Sequence, residues 1–205
     1  MSKVLHISAS PRGEASESLA IAHSFLETYQ QTHPDDEIVT FDLWDGSLPP
    51  FGPDAAAAKM AVFAGQQPSS DGWTKAVATY ERVNAADKYL FSVPMWNHGV
   101  PYILKQLIDV ISQPGMVFSF DAERGYTGLL PGRKAAVIAT SAVYGPGRPP
   151  AFGNDFQLPY LHDWLSWAGF ADVSDVSFRP DLATADAAGL REIAHSDARD
   201  LAKQF

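Results

Sequence analysis

Apolar positions along this chain follow two periods, and the switches between them mark its elements. Val4-Leu5-His6-Ile7 is a short, mostly apolar run ending at the polar turn Ser8-Ala9-Ser10-Pro11-Arg12-Gly13, which predicts a central strand and its stop. After Ser16, the positions Leu19, Ala22, His23, Phe25, Leu26 and Tyr29 recur at helical spacing. The β-branched and aromatic run Ile38-Val39-Thr40-Phe41 predicts a second strand. From Asp45 to Ser70 the chain is rich in Pro, Gly and Ala, which predicts a long loop holding one short helix. Asp71 is the expected cap of the next helix, which carries Trp73, Val77, Tyr80 and Val83 and fades near Asp87.

Tyr89-Leu90-Phe91-Ser92-Val93 reads as a buried strand stopped by Pro94, and a helix is expected from near Pro101 through Leu104, Leu107, Ile108 and Ile111. Ala135-Ala136-Val137-Ile138-Ala139 is another central strand, closed by Thr140-Ser141. Phe156, Tyr160, Leu161, Trp164, Leu165 and Ala168 mark a helix stopped at Gly169. Val173 to Phe178 alternates more and belongs nearer an edge, and a polar helix runs from Ala183 to Lys203. Two aromatic pairs, Trp164 with Trp167 and Phe118 with Phe120, belong to the core or to a subunit interface, and core is the first reading.

Strands separated by helices, with apolar central strands, predict an α/β fold: one parallel sheet covered on both faces. Right-handed crossovers leave the five-stranded doubly wound sheet, order 2-1-3-4-5, as the simplest topology, and the whole chain, 1–205, reads as one domain. Such sheets bind ligands beyond the carboxyl ends of their strands, so the segments that follow the strands hold the candidate chemistry.

Composition narrows that chemistry. With 15 basic against 24 acidic residues, the net charge of −9 repels phosphate backbones and anionic lipid, which sets nucleic-acid and membrane partners aside. One small anion remains compatible, because backbone N–H groups hold a phosphate without net positive charge. The absence of cysteine excludes disulfides, thiolate metal sites and cysteine nucleophiles. The start of the chain carries no signal-peptide pattern and no apolar run is long enough to span a bilayer, so a soluble cytoplasmic protein is expected.

After the first strand, Ser10, Ser16 and Ser18 converge with Arg12 on a helix start, whose unpaired N–H groups suit a phosphate. An ordinary N-cap at Ser16 in a serine-rich turn is the competing reading. Neither the dinucleotide glycine fingerprint nor a Walker lysine is present. After the third strand, Pro94-Met95-Trp96-Asn97-His98-Gly99-Val100-Pro101 places aromatic and backbone groups between two prolines, where they could frame a planar ring. His98 has no nearby carboxylate to orient it as a general acid and is read first as a surface histidine. After the fourth strand come Ser141, Ala142, Val143 and Tyr144, for which a plain loop is the alternative. The other histidines, His6, His23, His33, His162 and His195, show no metal-ligand spacing.

Together the three loops resemble those of the FMN-dependent NADH:azoreductases, within the flavodoxin-like quinone oxidoreductases. The block Pro94-Met95-Trp96-Asn97-His98-Gly99-Val100-Pro101-Tyr102-Ile103-Leu104-Lys105-Gln106-Leu107-Ile108-Asp109 carries the strongest likeness, with Ser10, Ser16-Glu17-Ser18, Gly115 to Phe118, Gly128 to Ala135, and Pro159-Tyr160-Leu161 ahead of Gly169-Phe170 in support. The resemblance implies a flavodoxin-like homodimer in which FMN accepts electrons from NADH or NADPH and passes them to a quinone or an azo compound by a ping-pong route.

It implies that Ser10, Ser16, Glu17 (through its N–H) and Ser18 hold the phosphate and ribityl end. Met95, Trp96, Asn97 and His98 would lie against the flavin ring, and Ser141, Ala142, Val143 and Tyr144 form the third flavin loop. The flavin supplies the redox chemistry, so no catalytic side chain is assigned. Two departures bear on substrate preference and nicotinamide use. Ala142-Val143-Tyr144 stands where the family has an Arg-Gly-Gly type run, and His98 replaces a common phenylalanine. Rival readings are a flavodoxin-like electron carrier, a cofactor-free binding module, and FAD in place of FMN.

Overall fold

The computed structural model describes residues 1–145 and 147–205. Strands β1 (Lys3–Ser8), β2 (Glu37–Asp42), β3 (Lys88–Pro94), β6 (Lys134–Thr140) and β7 (Asp172–Phe178) form one parallel sheet in the order β2-β1-β3-β6-β7. Counting only these five strands, this is the order 2-1-3-4-5 expected from the sequence. Burial follows position: nearly every residue of β1, β3 and β6 is buried, whereas β2 and β7, at the edges, are largely open. Central strands are covered on both faces and therefore read as continuous apolar runs.

Helices α1 (Glu17–Thr32) and α6 (Ala187–Gln204) cover one face, packing Ile21, Phe25, Tyr29, Ala194 and Ala198 against Val4, Leu90, Ile138 and Val176. Helices α3 (Asp71–Asn84), α4 (Tyr102–Ile111) and α5 (Leu158–Ala168) cover the other, packing Val83, Leu104, Leu107, Leu161 and Leu165 against Leu5, Ile7, Phe91 and Val137. The 45–70 segment holds helix α2 (Pro53–Phe63), as expected.

Several local expectations are corrected. Ser70, not Asp71, caps α3, its side chain accepting the Trp73 N–H at 3.2 Å. Helix α4 does begin beside Pro101, which sits at its cap. Phe156 lies outside α5 and is 61% exposed. The terminal helix begins at Ala187, behind an Asp186 cap, four residues later than its polar pattern suggests.

A feature absent from the sequence reading is an antiparallel hairpin of β4 (Phe118–Asp121) and β5 (Gly125–Gly128). Phe118 is buried in it, but Phe120 is 52% exposed and packs on Tyr126 at 5.0 Å, while Trp167 is half-buried against both Phe118 and Tyr126. The hairpin carries Phe120 past the edge of the core, so alternation placed both phenylalanines on one face without burying both. Gly169 does stop α5, in the left-handed conformation at φ 106°.

Candidate functional site

The ends of β1, β3, β6 and β7 open on one cavity of about 590 Å³, in the size range of small-molecule sites. It lies at the reversal of strand order, where β1 and β3 run side by side. Ser10, Arg12, Ser16 and Glu17 line one part, Pro94 to His98 a second, Thr140 to Tyr144 a third, and Phe178, Pro180 and Arg191 close it.

At the first part, Ser16 caps α1: its Oγ accepts the Leu19 N–H at 3.3 Å, and its carbonyl accepts Ala20 N–H at 3.0 Å. The N–H groups of Glu17 and Ser18 have no acceptor among the described residues. An ordinary cap and a phosphate-ready helix start are thus the same feature: capping satisfies one donor of the first turn and leaves two others free. Ser18 does not line the cavity; it is fully buried behind Ser16, with the two hydroxyl oxygens 3.1 Å apart. The Glu17 carboxylate turns to Arg191 in a two-point ion pair. The Arg191 hydrogen bonds hold the Glu17 carboxyl below its ordinary range, with the charges of Arg191, His195 and Arg12 acting in the same direction.

At the second part, Trp96 and Gly99 exchange backbone hydrogen bonds at 2.9 and 3.1 Å around a two-residue turn. Both turn residues are left-handed, Asn97 at φ 49° and His98 at φ 71°. Non-glycine residues in that region cost energy and persist where the surroundings enforce them. Those surroundings are visible. The His98 carbonyl accepts the Phe156 N–H at 2.9 Å, and the His98 ring presses on Gly153, where a side chain would collide with it. The N–H groups of Asn97 and His98 have no acceptor among the described residues. His98 is exposed and lines the cavity, and it forms no ion pair among the described residues. Trp96, 46% exposed, stands at the cavity and is not packed beneath a helix.

At the third part, the buried Ser141 Oγ accepts the N–H groups of Val143 and Tyr144 at 3.3 and 3.0 Å, which folds this loop tightly. The segment forms part of the cavity wall. The cavity therefore joins an anion-ready helix start to an apolar mouth of Met95, Trp96, Val143 and Tyr144 with free backbone donors at its turn.

All the candidate residues except Ser18 meet at this cavity. Arg191, Phe178 and Pro180 were missed. Phe178 and Pro180 follow the strand-end rule applied to β7, but Arg191 comes from within α6 and nothing in its sequence context marks it. No group of His, Asp and Glu suited to a metal exists among the described residues, and none of the described helices is long and apolar enough to cross a membrane.

Residues 2–200 match a family model described as having a flavodoxin-like fold. An FMN-dependent NADH:quinone oxidoreductase of Ruegeria pomeroyi is 44% identical over 189 residues, 91% of this chain and 93% of that protein. A protein of the same name, number 9, from Burkholderia lata is 39% identical over 211 residues and the full length of both. Among solved structures, an azoreductase of Bacillus anthracis superimposes with a TM-score of 0.89 at 24% identity, covering 100% of both chains. An FMN-dependent NADH-azoreductase of the same species, solved with FMN, gives 0.88 at 22% identity, over 100% of this chain and 99% of that one; at such identity these two speak for the fold.

Proposed function

The chain belongs to the flavodoxin-like family of FMN-dependent NADH:quinone oxidoreductases, and we propose that it reduces quinones and azo compounds with NADH through FMN held in the cavity at the strand ends. The observation that carries this reading is the union of two chemistries in one cavity. One end offers free N–H donors, serine hydroxyls and Arg12; the other is apolar, with free donors at the Asn97-His98 turn. A flavin phosphate and a flavin ring need those two environments in that combination.

Glu17 and Ser18 N–H, with the hydroxyls of Ser10 and Ser16, would take the phosphate and ribityl end. Ser18 would act through its N–H and by buttressing Ser16, not by direct hydroxyl contact. Met95, Trp96, Asn97 and His98 would lie against the ring, where the turn N–H groups stabilise negative charge. Ser141 to Tyr144 would form the opposite wall. Bound FMN supplies hydride acceptance from nicotinamide and two-electron delivery to the acceptor, which takes up two protons. The exposed Trp96 and Val143 border an opening that donor and acceptor share in turn, a ping-pong scheme. NADPH serves as a second candidate donor.

We further read the chain as one domain over 1–205, cytoplasmic, and as a homodimer. The exposed aromatic hairpin of Phe120 and Tyr126, 52% and 56% accessible, supports the last point. Light scattering tests it, and a monomer at micromolar concentration would remove it.

The deciding experiment is an absorption spectrum after incubation with FMN and desalting, followed by anaerobic NADH. A retained flavin band that bleaches supports the oxidoreductase. A band that persists makes the protein an electron carrier, and no retained band makes it a binding module. Converging lines in a two-substrate kinetic plot would rule out the ping-pong order.

A further inference from the structure

We propose that the ion pair of Glu17 and Arg191 sets a preference for phosphorylated over non-phosphorylated flavin, with Arg191 the specificity-determining charge. The inference rests on the flavin site proposed above. Glu17 opens α1, Arg191 stands near the start of α6, and both side chains line the cavity with Arg12. Arg191 Nε donates to Glu17 Oε2 at 2.9 Å and its Nη2 donates to Oε1 at 2.6 Å, a fork that a lysine cannot reproduce. The guanidinium carbon also lies 5.3 Å from the centre of the Phe178 ring, so the group is braced from two sides.

The placement matters because Glu17 carries one of the free N–H donors of the helix start. A phosphate drawn to that donor arrives beside the carboxylate of the same residue. Left unneutralised, the carboxylate would repel it. The fork turns the carboxylate towards α6 and cancels its charge. Among the described Arg, Lys, Asp and Glu side chains lining the cavity, Arg12 and Arg191 are cationic and Glu17 is anionic, a local balance of +1, inside a chain of net charge −9. Glu17 and Arg191 are 35% and 41% exposed, so solvent and salt moderate the effect without removing it.

This balance makes signed predictions. Arg191→Gln brings it to zero, Glu17→Gln raises it to +2, and the double variant restores +1. Binding of FMN and of riboflavin is followed by flavin fluorescence for the wild type and all three variants, at low salt and at about 0.5 M NaCl. Riboflavin ends in a neutral hydroxyl and serves as the internal reference.

FMN binding should weaken about tenfold in Arg191→Gln and tighten about threefold in Glu17→Gln. It should return to within about twofold of wild type in the double variant, and salt should compress these differences. Riboflavin should move by less than about twofold throughout. Equal shifts of both flavins, or weaker FMN binding in Glu17→Gln, would overturn the proposal and leave the pair as a tie between two helices. Should Arg191→Gln fail to fold, the opposite sign required of Glu17→Gln still decides. A wild type that binds neither flavin overturns the flavin site itself, a result distinct from either.

Discussion

The guanidinium carbon of Arg179 stands 5.4 Å from the centre of the Tyr144 ring, which ties the end of β7 to the loop after β6. The same guanidinium donates through Nη2 to Gln157 Oε1 at 2.9 Å, and its Nη1 lies 3.0 Å from Asp155 Oδ2. Gln157, fully buried, donates in turn to the Val93 carbonyl at 2.8 Å, just before the Pro94 to Gly99 loop. One buried cation thus braces two of the three walls of the cavity.

Arg179→Met should lower stability by about 3 kcal/mol, because it strands Asp155 and Gln157 without their partner. Arg179→Lys should recover little of that, since an ammonium cannot bond Gln157 while facing Asp155 and the ring together. Urea midpoints of the three proteins measure this, and a lysine variant as stable as wild type would contradict the fork. Tyr144→Phe keeps the ring over the cation and should change the range of quinones accepted more than the flavin content. Loss of flavin instead would make Tyr144 a cofactor holder.

Ser16→Asp separates capping from anion binding. Aspartate caps a helix as well as serine does, and Ser16, though buried, lines the cavity, so the apo protein should keep its fold with a loss of about 1–2 kcal/mol. Flavin retention after desalting should fall sharply, because a carboxylate then faces the phosphate. Ser18→Asp is a poorer probe, since it buries a charge behind Ser16 and should lower the melting temperature as well. Unchanged FMN occupancy in Ser16→Asp would remove the phosphate assignment.

His6 gives a pH dependence of defined sign. It is buried in β1 with Nε2 2.9 Å from Ser92 Oγ, and burial, assisted by the charge of His23, pushes its imidazole down to about 4. The unfolded chain takes up this proton near pH 6.5 and the folded chain only near 4. Stability is therefore whole above about pH 6.5 and declines as pH falls towards 4, by on the order of 3 kcal/mol from this group. His6→Asn should flatten that part of a urea-midpoint profile. An unchanged slope in the variant would show that other groups carry it.

Gly153→Ala tests the support of the Asn97-His98 turn. Gly153 has φ 84°, and an added Cβ would collide with the His98 ring. The substitution should cost about 1–3 kcal/mol and weaken flavin binding if the turn moves. In the His98→Ala background the steric part vanishes and only the backbone strain remains, so the two changes should be non-additive. Strict additivity would show that the ring yields freely.

The sheet was legible because its three central strands are buried on both faces and its edge strands are not, a difference written directly in apolar continuity. The hairpin was not legible. Phe118-Ser119-Phe120-Asp121 alternates like any strand, and only its position beyond the core leaves Phe120 open while Phe118 is covered. The caps show the same limit: Ser70 and Asp71 are both good cap residues, and only the extended backbone of Ser70 in the folded chain separates them.

For the site, local sequence determined the three loops, since each follows a strand and carries the small, proline-fixed or capping residues that such turns require. The Pro94 to Pro101 block and the serine run at α1 were recognisable for that reason. Tertiary structure alone decided that Ser18 lies behind the wall, that Arg191 reaches Glu17 from a helix 174 residues away, and that Arg179 and Gln157 sit beneath Tyr144. Turn chemistry depends on neighbours in the chain. Charge pairing and burial depend on neighbours in space, and those exist only once the sheet has brought the strand ends together.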